Sequence, residues 1–198
     1  MQRLNSMNLR QIFLTKFLVI LILWLSQSIL ISNVERRKSL PPKASRMLFI
    51  LGCVDGDTCT GRSRRGIHYT LRLEGIDATE TSHNGCPAQV FSNEAKKRVN
   101  ALVKEKWLKV NFFGGDPYGR YIAQIESKED RLNVNKLLIE EGYVYAYRRP
   151  KKNRPELDWA ERAELSAQKN KKGLWALKKP PQTPGQFRKL NLNCRLQN

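Results

Sequence analysis

The chain has 198 residues, with 36 Lys and Arg against 18 Asp and Glu, for a formal net charge of +18. That length accommodates one domain of ordinary size with extensions, and a composition 40% hydrophobic and 9% aromatic supports a core, which excludes wholesale disorder. Its 12 Gly and 9 Pro exclude collagen-like and low-complexity chains, and 4 Cys are too few for a disulfide-dominated scaffold.

Charge is distributed unevenly. Residues 1–34 carry no acidic residue and three basic ones, Arg3, Arg10 and Lys16. Residues 35–170 hold 26 basic residues and all 18 acidic ones, and residues 171–198 hold seven basic residues and no acidic one. The acidic residues mark the folded middle, and the basic surplus there points to polyanionic partners.

In the first segment Phe17 to Leu25 is wholly apolar, and after Ser26-Gln27-Ser28 the chain returns to Ile29-Leu30-Ile31. The first run fits the hydrophobic region of a signal peptide, about 7–15 residues, with Ser26 and Ser28 as small residues for cleavage. Residues 12–32 together approach the roughly 20 that span a bilayer. Residues 1–34 are therefore read as a signal peptide or a membrane anchor, and the protein as exported (secreted or periplasmic) or held on a membrane through residues 12–32. Residues 35–46, charged and carrying Pro41-Pro42, read as a linker.

The domain proper is expected over residues 47–176. Met47 to Leu51 has β character and ends at the turn-forming Asp55-Gly56-Asp57-Thr58. Cys59 to Gly66 suits an exposed hairpin tip. From Ile67 onward the chain alternates: Ile67, Tyr69, Leu71 and Leu73 share one face, and His68, Thr70, Arg72 and Glu74 the other, as in a half-buried strand. The loop Asp77 to Pro87 leads to a helix near 88–105, where Phe91, Ala95, Val99, Leu102 and Val103 recur at helical spacing. Strands over 107–113 and 119–126 flank the turn Gly114 to Gly119. A short helix over 133–141 stops at Gly142, an extended tyrosine-rich piece covers 143–148, and a helix follows near 155–170. Residues 177–198 form a basic, Pro-containing tail expected to run extended over the surface. The pattern suggests an α+β fold around a small five-stranded barrel.

Four separated pieces carry chemistry when taken together: Val54 to Thr58, Leu71 to Glu80, Asp116 to Arg120 and Tyr143 to Tyr147. Asp57 and Asp77 each leave a strand end, so a barrel can bring their carboxylates together. Paired carboxylates with a backbone carbonyl and water form an oxygen-only site, which suits Ca²⁺ and not Zn²⁺. Counted from Asp55, the loop has Thr60 and Gly66 where an EF-hand needs Gly and Glu, so it is no EF-hand. Glu80, in the same loop as Asp77, is placed to take a proton from water. Arg72 and Arg120 come from different segments and can clamp a phosphate. Alternating tyrosines over 143–147 offer faces on which bases stack, and the basic run Arg148 to Arg154 can track phosphates.

On these motifs, residues 47–176 resemble the staphylococcal-nuclease-like (thermonuclease) family. Asp55-Gly56-Asp57-Thr58, Arg72 with Asp77-Ala78-Thr79-Glu80, and Tyr118-Gly119-Arg120 follow the family's order, and Gly173-Leu174-Trp175 resembles its closing motif. The resemblance implies an OB-fold barrel with about three helices. It implies Asp57, Asp77 and the backbone carbonyl of Ala78 as Ca²⁺ ligands, Arg72, Glu80 and Arg120 as the catalytic trio, and Asp55 as a supporting carboxylate. Tyr118, Tyr145 and Tyr147 would lie beside a bound nucleotide. The implied activity is Ca²⁺-dependent endonucleolytic cleavage of DNA or RNA, breaking the P–O5′ bond and leaving 3′-phosphates. OB-type grooves favour single strands with little sequence preference. The family usually has Pro before the catalytic glutamate; Thr79 stands there instead, so Glu80 is expected to be less firmly held.

The alternative is a catalytically weak or inactive OB module that only binds nucleic acid. No motif implies a protein partner. Cys53, Cys59, Cys86 and Cys194 show no Cys-x-x-Cys spacing. Pairing Cys53 with Cys59 would brace the Asp57 loop, pairing Cys86 with Cys194 would pin the tail, and four free thiols stay open as well.

Overall fold

A computed structural model describes residues 19–22, 24, 44–82, 86–127, 131–147 and 158–191. The N-terminal unit, residues 1–40, is represented by helical residues 19–22 and 24. Most of the expected signal or anchor segment thus lies outside the described residues, as do the basic run Arg148 to Arg154 and Cys194. Among the described residues no helix is long and apolar enough to cross a membrane.

The second unit is a closed barrel of five strands in the order β1-β2-β3-β6-β5. These are β1 (Ala44–Cys53), β2 (Thr58–Arg62), β3 (His68–Leu73), β5 (Lys106–Gly115) and β6 (Tyr121–Glu126). All neighbours pair antiparallel except β3 with β6. Two short strands, β4 (Ile76–Asp77) and β7 (Tyr145–Ala146), form a separate antiparallel pair. Helices α1 (Ser92–Val103), α2 (Val134–Glu140), α3 (Asp158–Lys169) and α4 (Pro184–Leu190) complete the unit, with a 3₁₀ turn over Gly173–Ala176. This is the expected α+β OB-type barrel.

Period-2 alternation fills the barrel. Leu48 and Ile50 of β1, Tyr69, Leu71 and Leu73 of β3, Leu108, Val110 and Phe112 of β5, and Ala123 and Ile125 of β6 are all buried, each contributing roughly 1.5–3 kcal/mol of burial for the larger side chains. The alternation is broken at two points. Ile67, expected inside, is 47% exposed because β3 begins only at His68, while Glu74, expected outside, is buried and accepts from Gln124 Nε2. Strand β1 also starts inside the expected linker, because Ala44, Ser45 and Arg46 pair with Phe112, Asn111 and Val110 of β5.

Helix α1 is shorter than its expected span and buries Ser92, Ala95, Val99 and Val103; Phe91 sits at its N-cap with φ 74° and is not part of the buried face. The helix grips the first hairpin through Asn100, whose Oδ1 accepts from the Cys53 N–H (2.9 Å) and whose Nδ2 donates to the Cys53 carbonyl (3.0 Å). Asn135, fully buried at the start of α2, joins three elements: it donates to the Glu74 and Ala123 carbonyls and accepts from the Ile125 N–H.

Cys53 and Cys59 are bonded to each other directly across the β1–β2 pairing, six residues apart in sequence. Cys86 is also in a disulfide, so free thiols are not the state of these cysteines. The Cys53–Cys59 bridge closes a loop of few residues, for which chain-entropy arguments give about 2 kcal/mol. The double variant Cys53→Ala/Cys59→Ala is expected to lose stability of that order in urea unfolding, and a change below about 0.5 kcal/mol would show that the β-pairing alone holds the hairpin.

The Pro-rich tail departs from the extended course expected for it. Thr183 caps α4, its Oγ1 accepting from the Gln186 N–H while Gln186 Oε1 accepts from the Thr183 N–H, with Pro184 in the first turn. That reciprocal cap, together with a proline whose φ is already helical, nucleates a helix the composition concealed.

Candidate active site

The site begins with a turn that orders itself. Asp55 Oδ1 accepts from the N–H groups of Asp57 (2.9 Å) and Thr58 (2.6 Å), so Asp55 shapes the loop and aims Asp57. A side chain at Gly56 would have its Cβ 2.6 Å from Ala78 Cβ and 2.9 Å from Ala95 Cβ, so only glycine lets this loop pack against both the Asp77 loop and α1. The two loops are stitched by the Ala78 N–H, which donates to Asp57 Oδ2 (2.7 Å). Asp57 and Asp77 are both buried.

Arg72, on the outward face of β3, bridges them. Its Nη1 is ion-paired with Asp57 Oδ1 and its Nη2 with Asp77 Oδ1 at 2.9 Å. Burial opposes the Arg72 charge, but Asp57 and Asp77 outweigh it and hold its pKa above the ordinary value. Arg120 is set by its own turn. Asp116 Oδ1 accepts from the N–H groups of Tyr118 and Arg120, and Asp116 Oδ2 accepts from Arg120 Nε (2.7 Å). Although burial pushes the Asp116 carboxyl up, these bonds from Arg120 dominate and leave it below its ordinary value. Arg120 Nη1 then reaches Thr58 Oγ1 (3.3 Å), which donates to Asp57 Oδ1 (3.1 Å).

Glu80 joins through a residue the sequence reading did not single out. Arg188, on α4, places Nη1 2.5 Å from Glu80 Oε1 and Nη2 3.0 Å from Asp77 Oδ2. Arg120, Thr58, Asp57, Arg72, Asp77, Arg188 and Glu80 thus form one connected network. The backbone of Glu80 is clamped by Gln89, whose Oε1 accepts from the Glu80 N–H (2.9 Å) and whose own N–H donates to the Glu80 carbonyl (2.8 Å). The loop is therefore held at Glu80 despite Thr79, which is fully buried with its hydroxyl unpartnered.

The tyrosines divide. Tyr118 is 83% exposed with Arg120 over its ring, and Arg72 lies over Tyr147. Tyr145 is buried edge-on against Trp175, and its hydroxyl donates to the Pro181 carbonyl.

Electrostatically the site carries surplus negative charge in a partly dry setting. Burial and the neighbouring Asp57 push the Asp55 carboxyl up to about 7, against the two N–H donors and Arg72 that pull it down. Burial likewise raises Asp77, only partly offset by Arg188 and Arg72. Among the described residues, no three His, Cys, Asp or Glu side chains gather as a metal cage. What the fold offers a cation is an oxygen-only pair, Asp57 and Asp77, already held by two guanidinium groups. That donor set fits a hard divalent ion completed by backbone carbonyl and water, as Ca²⁺ accepts.

The family model described as "Staphylococcal nuclease homologue" matches residues 70–177, from within β3 to just past the 3₁₀ turn. A "Probable endonuclease LCL3" of Candida tropicalis is 31% identical over 125 residues, covering 61% of this chain and 53% of that protein. The protein of the same name from Candida albicans is 33% identical over 125 residues with the same coverage. A "Probable staphylococcal-like nuclease CAN1" of Oryza sativa subsp. japonica is 35% identical over 122 residues, covering 61% of this chain and 33% of that protein. The chain spans about half the length of the yeast relatives it matches and a third of the plant one.

Proposed function

The chain belongs to the staphylococcal nuclease homologue family, and from that premise we propose that it is a Ca²⁺-dependent endonuclease hydrolysing phosphodiester bonds of DNA or RNA, with single strands preferred and little sequence specificity. The observation that carries the reading is that Asp57, Asp77, Arg72, Glu80 and Arg120, residues drawn from β3, β4 and three loops, are gathered in one network, Arg120 through Thr58 and Glu80 through Arg188. A purely structural set of ion pairs has no need to gather two arginines, a carboxylate pair and a third carboxylate in one place.

In this reading Asp57 and Asp77, with the Ala78 carbonyl, hold Ca²⁺, which when bound neutralises phosphate charge and acidifies water. Arg72 and Arg120 orient the phosphodiester and meet the charge that builds on its oxygens in the transition state. Glu80 takes a proton from the attacking water. Water oxygen bonds to phosphorus, the P–O5′ bond breaks, and the leaving 5′-oxygen recovers a proton from solvent, giving a 3′-phosphate and a 5′-hydroxyl. Tyr118 and Tyr147, each beside one of the arginines, would stack bases next to the scissile bond, worth about 1–3 kcal/mol each. Tyr145, buried edge-on against Trp175 with its hydroxyl on the Pro181 carbonyl, presents no open face for a base and is left out of this contact.

The proposal extends to location: the domain acts outside the cytosol or on a membrane, through residues 12–32. The apolar run Phe17 to Leu25 and the disulfides at Cys53–Cys59 and Cys86 support this, since such bonds persist in oxidising compartments.

Digestion of heat-denatured DNA and of RNA tests the activity. Cleavage to 3′-phosphate ends with Ca²⁺, abolished by EGTA, is expected. Salt-sensitive binding to the same strands with no cleavage under either condition would instead identify a non-catalytic OB module.

A further inference from the structure

The chain beyond the 3₁₀ turn is fastened to the domain before it reaches the site. Tyr145 Oη donates to the Pro181 carbonyl, and Gln89 Nε2, on the residue that clamps Glu80, donates to the Gln182 carbonyl (2.9 Å). Thr183 then caps α4, and the helix delivers Arg188. Its guanidinium lies 3.0 Å from Asp77 Oδ2 through Nη2, and 3.3 Å from Asp77 Oδ1 and 2.5 Å from Glu80 Oε1 through Nη1. Both oxygens of Asp77 and one of Glu80 are therefore engaged by this one side chain.

Charge counting shows what Arg188 does there. Asp57, Asp77 and Glu80 are three carboxylates, and Arg72 supplies one compensating charge from the barrel side. Arg120 is engaged with Asp116. Of the two negative charges that remain, a divalent cation can meet both and Arg188 one, and both would use the same Asp77 oxygens. Helix α4 is also weakly attached in its own right: of its seven residues only Pro184 is buried, and Leu190 is 70% exposed. An element with so little buried apolar surface opens locally at low cost, and the chain beyond it stays tethered, since Cys194 is the cysteine left to pair with Cys86.

We infer that α4 is a built-in plug, in which Arg188 acts as an intramolecular cation competing with the divalent metal for Asp77 while also holding the general base Glu80, so that metal binding displaces the guanidinium from both. The inference rests on the proposed role of Asp57 and Asp77 as the metal pair. It gives the site a threshold: divalent cation must be abundant enough to displace the guanidinium before the general base and the phosphate cradle are free. A site closed nine times in ten loses about tenfold in apparent affinity.

Two measurements on the full chain test it. By calorimetry, Arg188→Gln is expected to bind Ca²⁺ about tenfold more tightly than the wild type, with Arg188→Lys, which keeps the charge but not the fork, in between. By hydrogen exchange on the wild-type protein, saturating Ca²⁺ is expected to speed exchange across residues 185–190. Equal or weaker Ca²⁺ binding by Arg188→Gln, or unchanged exchange in α4, overturns the plug and leaves the nuclease reading standing. No Ca²⁺ binding by either protein overturns both together.

Discussion

Glu80→Gln is expected to lower kcat by roughly 10²–10⁴-fold, the usual contribution of a positioned general base, while leaving affinity for a single-stranded oligonucleotide within about twofold. The split between the two readouts follows from the geometry. Glu80 contacts Arg188 and is held through its backbone by Gln89, and it carries neither the Arg72 bridge nor the Arg120 turn. Glutamine preserves the shape and both backbone bonds to Gln89, so the loop stays in place while the proton acceptor is gone. Single-turnover cleavage at saturating Ca²⁺, with fluorescence anisotropy for binding, separates the effects. Turnover near the wild-type rate would remove Glu80 from the reaction.

The second large effect concerns stability as well as chemistry. Arg72→Leu removes the group that bridges two buried aspartates, whose side chains are only 10% and 8% exposed. Breaking a buried pair by deleting one partner typically costs about 3–5 kcal/mol, because the other charge is left uncompensated. Asp57 is the more affected, since Asp77 keeps Arg188. Urea unfolding in EGTA is expected to show a loss of that size, and added Ca²⁺ is expected to recover part of it by binding the folded state alone. Activity does not return with stability, since the phosphate loses one of its two arginine forks, an interaction whose removal costs about 10²-fold or more. A variant as stable as the wild type in EGTA would show that the aspartates do not depend on Arg72.

Much of the fold was legible because the barrel is written in alternation. Leu71 and Leu73 point inward and Arg72 outward for the same reason, the two-residue period of a strand, and this also put Arg72 on the same face as the strand-end aspartates. Asp57 and Asp77 were recognisable because each lies at a strand end, Asp57 one residue before β2 and Asp77 at the end of β4. The start of β1 was not legible: Ser45 and Arg46 are polar, and only pairing with Asn111 and Val110 of β5 makes them strand. Nor was Arg188. The signal for its helix was present, since Thr183, Pro184 and Gln186 spell a capping box with proline in the first turn, but Pro180 and Pro181 just before it, with Pro184 itself, made the segment resemble an extended tail. What the helix touches depends on the path of the chain through Pro181 and Gln182, which is a tertiary fact. Gln89 had no signal of its own: it falls within the helix expected from residue 88, which in fact begins at Ser92, and its role depends on a backbone approaching from nine residues away.

The closure of the cylinder has a consequence for how the chain reaches this state. Pairings within the first three strands are local, such as Cys53 with Cys59 and Thr58 with Arg72, so the turn bearing Asp57 and the strand bearing Arg72 can meet while the chain is still emerging from the ribosome. The seam between the first and fifth strands instead joins Leu48 to Leu108, about sixty residues apart, and the entropy of closing so long a segment makes this the slow event. Until residues 106–112 arrive, the open edge of β1 is a surface for mispairing with other chains, and the acidic cluster takes shape on a ring that is not yet shut.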